Sequence, residues 1–181
     1  MVAAFSNGSS IVTTTATALE MRNNIFSVTG GATTATPMYA HYTDATSYST
    51  NTLSNNDLYS VVSGSAIAYI GRLNAVNSST LAAWQTATGS ETSSKNVVAP
   101  FLSSTDLHLN TSTPTALESG ATPVAVTTDY DGDTRNATTP DIGADEGTFT
   151  SLDANDLAAA AFISPVNGGT VSAGVAFAPQ A

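Results

Sequence analysis

The chain has 181 residues, of which 14 are acidic and four are lysine or arginine, so its formal net charge is −10. Binding to nucleic acid or to an anionic membrane surface needs several cationic side chains, which this composition lacks, and no apolar run approaches the ~20 residues of a membrane span. The sequence contains no cysteine, which excludes disulfides, thiolate metal sites and cysteine nucleophiles.

Short apolar or β-branched runs, separated by Gly, Asn, Ser and Thr, predict an all-β fold. The predicted strands are Ala18–Val28, Met38–Thr43, Asp57–Val62, Ala66–Gly71, Asn96–Leu102, Thr105–Leu109 and Thr122–Thr127. Because no regular helix lies between them, a βαβ parallel sheet is excluded, and a sandwich, a barrel or a solenoid remains.

One segment, near residues 79–88, predicts a single short helix. Ser79 is a suitable N-cap, since its hydroxyl can accept a free amide of the first turn, and Gly89 suits the left-handed position after the last turn. Leu81 and Trp84 are three residues apart and share one face of this helix. We expect them to cover a hydrophobic opening, with Trp84 as a packing anchor.

A weak internal repeat separates the possible β folds. Asn23-Asn24-Ile25-Phe26-Ser27 and Asn55-Asn56-Asp57-Leu58-Tyr59-Ser60 share an asparagine pair, an apolar–aromatic pair and a serine. Matching Phe26 to Tyr59 gives a repeat length within the range of stacked repeats. In a solenoid, Asn24 and Asn56 would form an amide ladder and Phe26 and Tyr59 a stack. Two unrelated asparagine-rich turns are the alternative.

The densest polar cluster consists of six carboxylates and one nearby cation, Arg135. The carboxylates are Asp129, Asp131, Asp133, Asp141, Asp145 and Glu146. The spacing of Asp129, Asp131 and Asp133 around Gly132 suits Ca²⁺, which takes oxygen ligands in a tight turn. The second interpretation is a structural cap, in which Arg135 bridges carboxylates and the others, Asp141, Asp145 and Glu146 among them, accept backbone amides.

A catalytic role is less well supported than either of these interpretations, but it has to be weighed because many β-helices cut polysaccharides. Glu20, Asp44 and Asp57 are candidate catalytic acids by position only. His41 is weighed as a base, but it is interpreted as a partly exposed strand histidine without a catalytic role. His108 is interpreted as a packing residue. The common nucleophile, phosphate and zinc motifs are missing from the sequence.

Several blocks, taken in order, resemble one protein family over about residues 18–148. They are Asn23–Phe26, Leu81–Gly89, Ala99–Leu109, Asp129–Arg135 and Pro140–Glu146. Their order and spacing resemble very large secreted proteins of Bacteroidetes-type bacteria, in which a right-handed parallel β-helix ends in a recurring block. The resemblance implies that residues 1–148 are the last coils and the C-terminal cap of such a solenoid.

The resemblance also implies that further modules follow the cap. We expect a linker over residues 149–156 and the truncated start of an immunoglobulin-like sandwich module, a β-hairpin, over residues 157–181. Val2–Thr17 would be an incomplete coil, and the chain would be a piece of a longer protein.

Two functional hypotheses follow from this reading. The first is a non-catalytic structural or adhesive segment of a secreted or cell-surface protein, exported by type IX secretion. Its partners would be neighbouring coils and modules of the same polypeptide, and glycans or a surface or secretion protein. It would need no cofactor unless Ca²⁺ is bound. The second is the catalytically silent end of a polysaccharide lyase or glycosidase whose groove lies upstream.

Overall fold

The computed structural model describes residues 3–5, 9–13, 19–46 and 51–152, with side chains from residue 19 onward. It is mostly β with a single short helix, which confirms the predicted all-β class. The elements are β1 (Ala3–Phe5), β2 (Ser9–Thr13), β3 (Glu20–Arg22), β4 (Ile25–Ala32), β5 (Pro37–Thr43), β6 (Thr52–Ser54), β7 (Asp57–Gly64), β8 (Ile67–Leu73), β9 (Val76–Ser78) and α1 (Leu81–Thr88). Within these ranges, no helix has the length and apolarity that a membrane span requires.

The strands form three sheets, ordered β1–β4–β7, β2–β5–β8–β9 and β3–β6. Among the strands of the described residues, every pairing of the first eight is parallel, and the pairing of β8 with β9 is antiparallel. Phe26 of β4 lies opposite Leu58 of β7, and His41 of β5 lies opposite Gly71 of β8. Successive passes of the chain therefore run in the same direction through each sheet.

The repeat length predicted from Phe26 and Tyr59 is one residue too long. Phe26 lies opposite Leu58, while Tyr59 lies opposite Ser27. The asparagines of the two repeats are 32 residues apart and Asp57 lies opposite Ile25, so the repeats pair without an insertion, which alignment on the aromatic rings overlooks. Since side chains alternate between the faces of a strand, this slip moves Tyr59 to the face opposite that of Phe26.

The predicted asparagine ladder is present, and it holds the register between β4 and β7. The backbone N and Nδ2 of Asn24 donate to Oδ1 of Asn56 at 3.0 and 3.2 Å. Nδ2 of Asn56 in turn donates to the Met21 carbonyl at 3.0 Å and to Oε2 of Glu91 at 2.9 Å. The backbone N of Asn56 donates to Oγ of Ser94 at 2.9 Å. The row of hydrogen-bonded side chains therefore continues from Asn24 and Asn56 to Glu91 and Ser94.

The main core lies between the sheets and is closed at one end by Trp84. It consists of Met21, Phe26, Ala40, Ala45, Leu53, Leu58, Ile70, Leu73 and Trp84, with Leu19 and Leu81 packed against it. The Trp84 ring lies over Gly71, where a side chain would otherwise stand, and 5.2 Å from the buried ring of His41. The packing role predicted for Leu81 and Trp84 matches this arrangement.

The parallel pairing stops after β8. Asn74 and Ala75 take left-handed backbone conformations, with φ of 45° and 64°, and turn the chain back so that β9 pairs antiparallel to β8. This pairing covers a sheet edge that would otherwise be open. Helix α1 follows directly and brings Trp84 onto the end of the core.

Helix α1 begins one residue later than expected. Its N-cap is Thr80, not Ser79, because Oγ1 of Thr80 accepts the amide of Ala83 at 3.2 Å. At the other end, Gly89 has a φ of 65°, as expected, and its amide donates to the Gln85 carbonyl at 2.9 Å.

Residues 97–149, here called the C-terminal layer, pack around a second apolar core. The members of this core are Ile25, Ala99, Leu109, Leu117, Ala121, Ile142 and Phe149. The strands predicted at Asn96–Leu102, Thr105–Leu109 and Thr122–Thr127 are wrong, since only isolated bridges such as Phe101–Leu109 form there. Pro100 and Pro123 lack the amide that a regular ladder needs.

The C-terminal layer is attached to the wound strands through two asparagines in left-handed conformations. Nδ2 of Asn23 donates to the Thr122 carbonyl at 2.7 Å, and Nδ2 of Asn55 donates to the Gly120 carbonyl at 3.0 Å. The Thr122 amide returns a bond to Oδ1 of Asn23 at 3.1 Å. The layer therefore lies beside both passes of the chain.

The predicted linker begins inside this layer, since its first residue, Phe149, belongs to the second apolar core. The Phe149 ring is buried, its amide donates to Oε2 of Glu118 at 2.9 Å, and Ser151 bridges to Thr115. The hairpin predicted over residues 157–181 lies outside the described residues, so it remains a prediction.

The close approach of Trp84 to Gly71 predicts a steric effect. A Cβ at position 71 would overlap the Trp84 ring, so we expect Gly71→Ala to lower the free energy of unfolding by about 1–3 kcal/mol in chemical denaturation. Gly30→Ala is the matched control, because a Cβ there would lie at an ordinary 3.6 Å from Sδ of Met38. Equal stabilities of the two variants would contradict the packing described here.

The ladder predicts that Asn56 is a critical side chain for stability. Asn56→Ala leaves the Met21 carbonyl, the Asn24 amide and the Glu91 carboxylate without this partner, so we expect a loss of about 3 kcal/mol or more in unfolding free energy. Asn24→Ala is the control, since Asn24 is only half-buried and keeps its backbone bond to Asn56; it should cost about 1 kcal/mol. The reverse order of stability would contradict the ladder's role.

Candidate functional site

A tight turn in the C-terminal layer is built around Asp129. Its Oδ1 accepts the amides of Asp131 and Asp133 at 2.9 and 2.8 Å, and its Oδ2 accepts the amide of Glu146 at 3.0 Å. Gly132 supplies a φ of 93°, which favours glycine. Partial burial acts to raise the pKa of Asp129, but these amides together outweigh it and hold the pKa below its ordinary value.

Arg135 forms a buried ion pair beneath this turn. Its Nη1 lies 3.1 Å from Oε2 of Glu146, and the two side chains are only 9% and 8% exposed. The guanidinium also donates to the carbonyls of Asp141 and Gly143, at 3.1 and 2.5 Å. Glu146 further accepts the amides of Asn136 and Asp141 at 2.9 and 3.0 Å. Arg135 thus pairs with one carboxylate and with backbone carbonyls, where the sequence suggested a bridge between carboxylates.

Asp141 connects two loops of the same layer. Its carboxylate accepts the amides of Ser119 at 2.6 Å and Gly147 at 3.0 Å. Burial raises the pKa of Asp141 to about 6, and the nearby carboxylates of Glu118 and Glu146 add to the effect. Together with the Arg135–Glu146 pair, this arrangement is what the structural interpretation of the cluster requires.

Three carboxylates converge above these groups, but they are not the three that the sequence suggested. Ligand atoms of Asp129, Asp131 and Asp145 lie within 4.8 Å of one another. Oδ2 of Asp145 accepts the Leu109 amide at 2.7 Å. Asp133 contributes its backbone, through the amide bond to Asp129 and a carbonyl that accepts the Asp129 amide at 2.9 Å.

His108 lies beside these carboxylates, and sequence reasoning missed its position. It is not a packing residue, since its side chain is 47% exposed and bridges two acids: Nδ1 lies 2.5 Å from Oδ1 of Asp106 and Nε2 lies 2.9 Å from Oδ2 of Asp131. The hydrogen bond to Asp106, followed by that to Asp131, raises the pKa of His108 to about 9. The ring is therefore a cation at neutral pH.

The contacts of these three carboxylates are those of a turn held by its own hydrogen bonds, and they suit a Ca²⁺ site less well. Ca²⁺ takes about 6–8 oxygen ligands. Both oxygens of Asp129 already accept amides, and one oxygen of Asp145 does as well. The cationic ring of His108 already pairs with Asp131, so a calcium ion would have to displace or discharge it.

The dispersed acids weighed as catalysts are held in structural contacts. Glu20 pairs with Arg22 at 3.0 Å, and Asp44 pairs with Arg72 at 3.2 Å. Asp57 is fully buried, its Oδ1 accepts the Val97 amide at 3.0 Å, and burial raises its pKa to about 7.

His41 is not the partly exposed strand histidine that the sequence suggested. It is fully buried, and burial lowers its pKa to about 3. A ring without contact with solvent has no access to a substrate, so its environment does not favour action as a base.

The bridge made by His108 predicts a pH-dependent contribution to stability. Because the folded pKa is raised from 6.5 to about 9, this contribution should be complete below pH 6.5 and disappear as the pH rises through about 9. Chemical denaturation at a series of pH values measures it, and His108→Gln should lack this component.

NMR titration of the ring protons of His108 should give a midpoint near the same pKa of about 9. In Asp131→Asn, we expect the pKa to fall towards 6.5, while buried His41 serves as an internal reference that does not titrate in this range. A midpoint near 6.5 in the unmodified chain would show that the bridge does not form in solution.

Comparison of the chain with protein-family models, with curated proteins and with solved structures gives no match. The resemblance to the Bacteroidetes-type family therefore rests on the sequence blocks alone and stays a prediction. Function has to be argued from the geometry of the described residues.

Proposed function

We propose that the chain is a non-catalytic, structural and adhesive segment of a right-handed parallel β-helix within a larger secreted protein of a bacterial surface. The observation that carries the proposal is the repeated parallel pairing in the three sheets. Each sheet pairs a strand with its equivalent one pass later, Met21 with Leu53, Phe26 with Leu58 and His41 with Gly71. Right-handedness follows from the strong preference of parallel crossover connections for that hand.

The end of the winding supports the same proposal. Antiparallel β9 covers the edge of β8, Trp84 closes the core, and the C-terminal layer binds the asparagine turns of two passes. A solenoid needs such a cap, because its last coil would otherwise expose apolar side chains and unpaired backbone groups. The segment would hold an extended shape and connect it to following modules.

The contacts of the acidic residues favour a role without catalysis. Glycoside hydrolysis needs two carboxylates that face each other across a groove. Glu20 and Asp44 are paired with arginines, and Asp57 is buried beneath the C-terminal layer. Release of reducing ends from a polysaccharide by the purified chain would contradict this part of the proposal.

Cysteine cross-linking tests the winding in solution. Since the chain has no cysteine, an introduced pair reports only its own contact. Thr29 and Val61 are exposed and lie opposite each other, so Thr29→Cys with Val61→Cys should form a disulfide on mild oxidation. Glu20→Cys with Thr52→Cys should do the same in the β3–β6 sheet.

The matched control is Thr29→Cys with Val62→Cys. This pair has the same separation in sequence as Phe26 and Tyr59, and a shift of one residue moves the second sulfur to the opposite face of the strand. We expect little cross-linking from it. Equal yields from the two pairs that contain Thr29→Cys, or no product from either designed pair, would contradict the proposed winding.

A further inference from the structure

A cleft of about 780 Å³ opens in the C-terminal layer beside the Asp129 turn. Its walls come from the loop at residues 105–108, the segment at residues 126–131 and the pair Ala144–Asp145. This volume lies within the range of pockets that hold small ligands. The Tyr130 amide donates to the Ala144 carbonyl at 3.0 Å, so the second and third of these walls are fixed relative to each other.

The rim of the cleft exposes an aromatic ring and an aliphatic side chain. Tyr130 is 84% exposed and Val126 is 59% exposed, while Leu107 and Ala144 add apolar lining. Large apolar groups that are clustered on a surface, not scattered singly, mark interaction sites. A solvated tyrosine ring offers a flat face to a ligand, together with a hydroxyl at its tip.

The polar groups of the cleft are mixed. Asp131 and Asp145 each use one carboxylate oxygen, towards His108 and the Leu109 amide, and their other oxygens can accept further donors. The hydroxyls of Thr128 and Tyr130 can both donate and accept. A sugar hydroxyl matches such a set because it also donates and accepts, whereas an ammonium group only donates.

We propose that this cleft binds an uncharged oligosaccharide, with the Tyr130 ring stacked on one sugar and with Asp131 and Asp145 accepting its hydroxyls. The proposal rests on the proposed function, for which it names the adhesive site and the class of partner. The lining contains four carboxylates, those of Asp106, Asp129, Asp131 and Asp145, against the cations His108 and Arg135. Its net charge is therefore negative, which disfavours sulfated and uronate-containing glycans through repulsion of like charges.

The test is direct binding by the full chain in buffer containing EDTA. Immobilised hexamers of glucose, xylose, mannose and N-acetylglucosamine are the uncharged probes; heparin, polygalacturonate and oligolysine are the charged ones. We expect at least one uncharged hexamer to bind and the anionic polymers not to bind. Titration calorimetry then gives the dissociation constant for that hexamer.

Variants locate the binding site within the chain. Tyr130→Ala should weaken binding about tenfold or more, while Tyr130→Phe, which keeps the ring, should stay within about threefold of the unmodified chain. Val98→Ala is the matched control, because Val98 is 63% exposed and is not part of the cleft lining. It should bind as the unmodified chain does.

Four outcomes would overturn the glycan site: no binding of any uncharged hexamer, preference for an anionic polymer or oligolysine, binding only after Ca²⁺ is added, or unchanged binding by Tyr130→Ala. None of these affects the cross-links that test the winding. Conversely, failure of the cross-links or turnover of a bound hexamer would overturn the proposed function while the binding data stand.

Discussion

The hydrogen bonds of Asn56 fix how one pass of the chain lies on the next. Its single buried amide accepts two bonds from Asn24 and donates to the Met21 carbonyl and the Glu91 carboxylate. A slip of one residue between the two passes would break the three bonds that join Asn56 to Asn24 and Met21, and it would move apolar side chains such as Leu58 from the core to the opposite face. Together with the carboxamide of Asn51, which accepts the Leu19 amide at 2.8 Å, this polar group specifies the pairing of the two passes as well as stabilising it.

The end of the parallel pairing depends on a different constraint: the last strand must have its backbone edge covered and the apolar side chains beside it must be buried. Gly71 leaves space at the end of the core, and Trp84, carried by the helix that follows β9, fills it. The chain reverses at Asn74 and Ala75, so the strand that covers the edge and the ring that covers the core come from one short segment. The residues that cover the end of the core are therefore close together in sequence. The strands that they cover, β5 and β8, belong to different passes of the chain.

The fold was predictable from the sequence where a residue's role follows from its own chemistry. Repeated asparagines indicated the ladder, and a lone tryptophan on a capped helix indicated a packing anchor. The register was missed by one residue because the aromatic rings were aligned, although hydrogen bonds and not rings determine the pairing.

The C-terminal layer was harder to predict, since its loops are held by side chain-to-backbone bonds such as those of Asp141 and Glu146, whose partners lie at no regular spacing. The cleft was missed for the same reason: no periodic pattern brings His108 next to Asp131.

The place of the cleft in the irregular layer follows from these constraints. Within the sheets, each side chain of a central strand packs against side chains of the strands on both sides. A substitution that would create a ligand contact there would therefore disturb at least two packing contacts. In the C-terminal layer, the turn around Asp129 is closed by its own backbone amides and supported by the Arg135–Glu146 pair. Tyr130 is therefore held in place by main-chain bonds while its ring makes little contact with the rest of the chain. Such a position can vary without disturbing the parallel pairing of the strands, so the binding site proposed for the cleft is compatible with the fold.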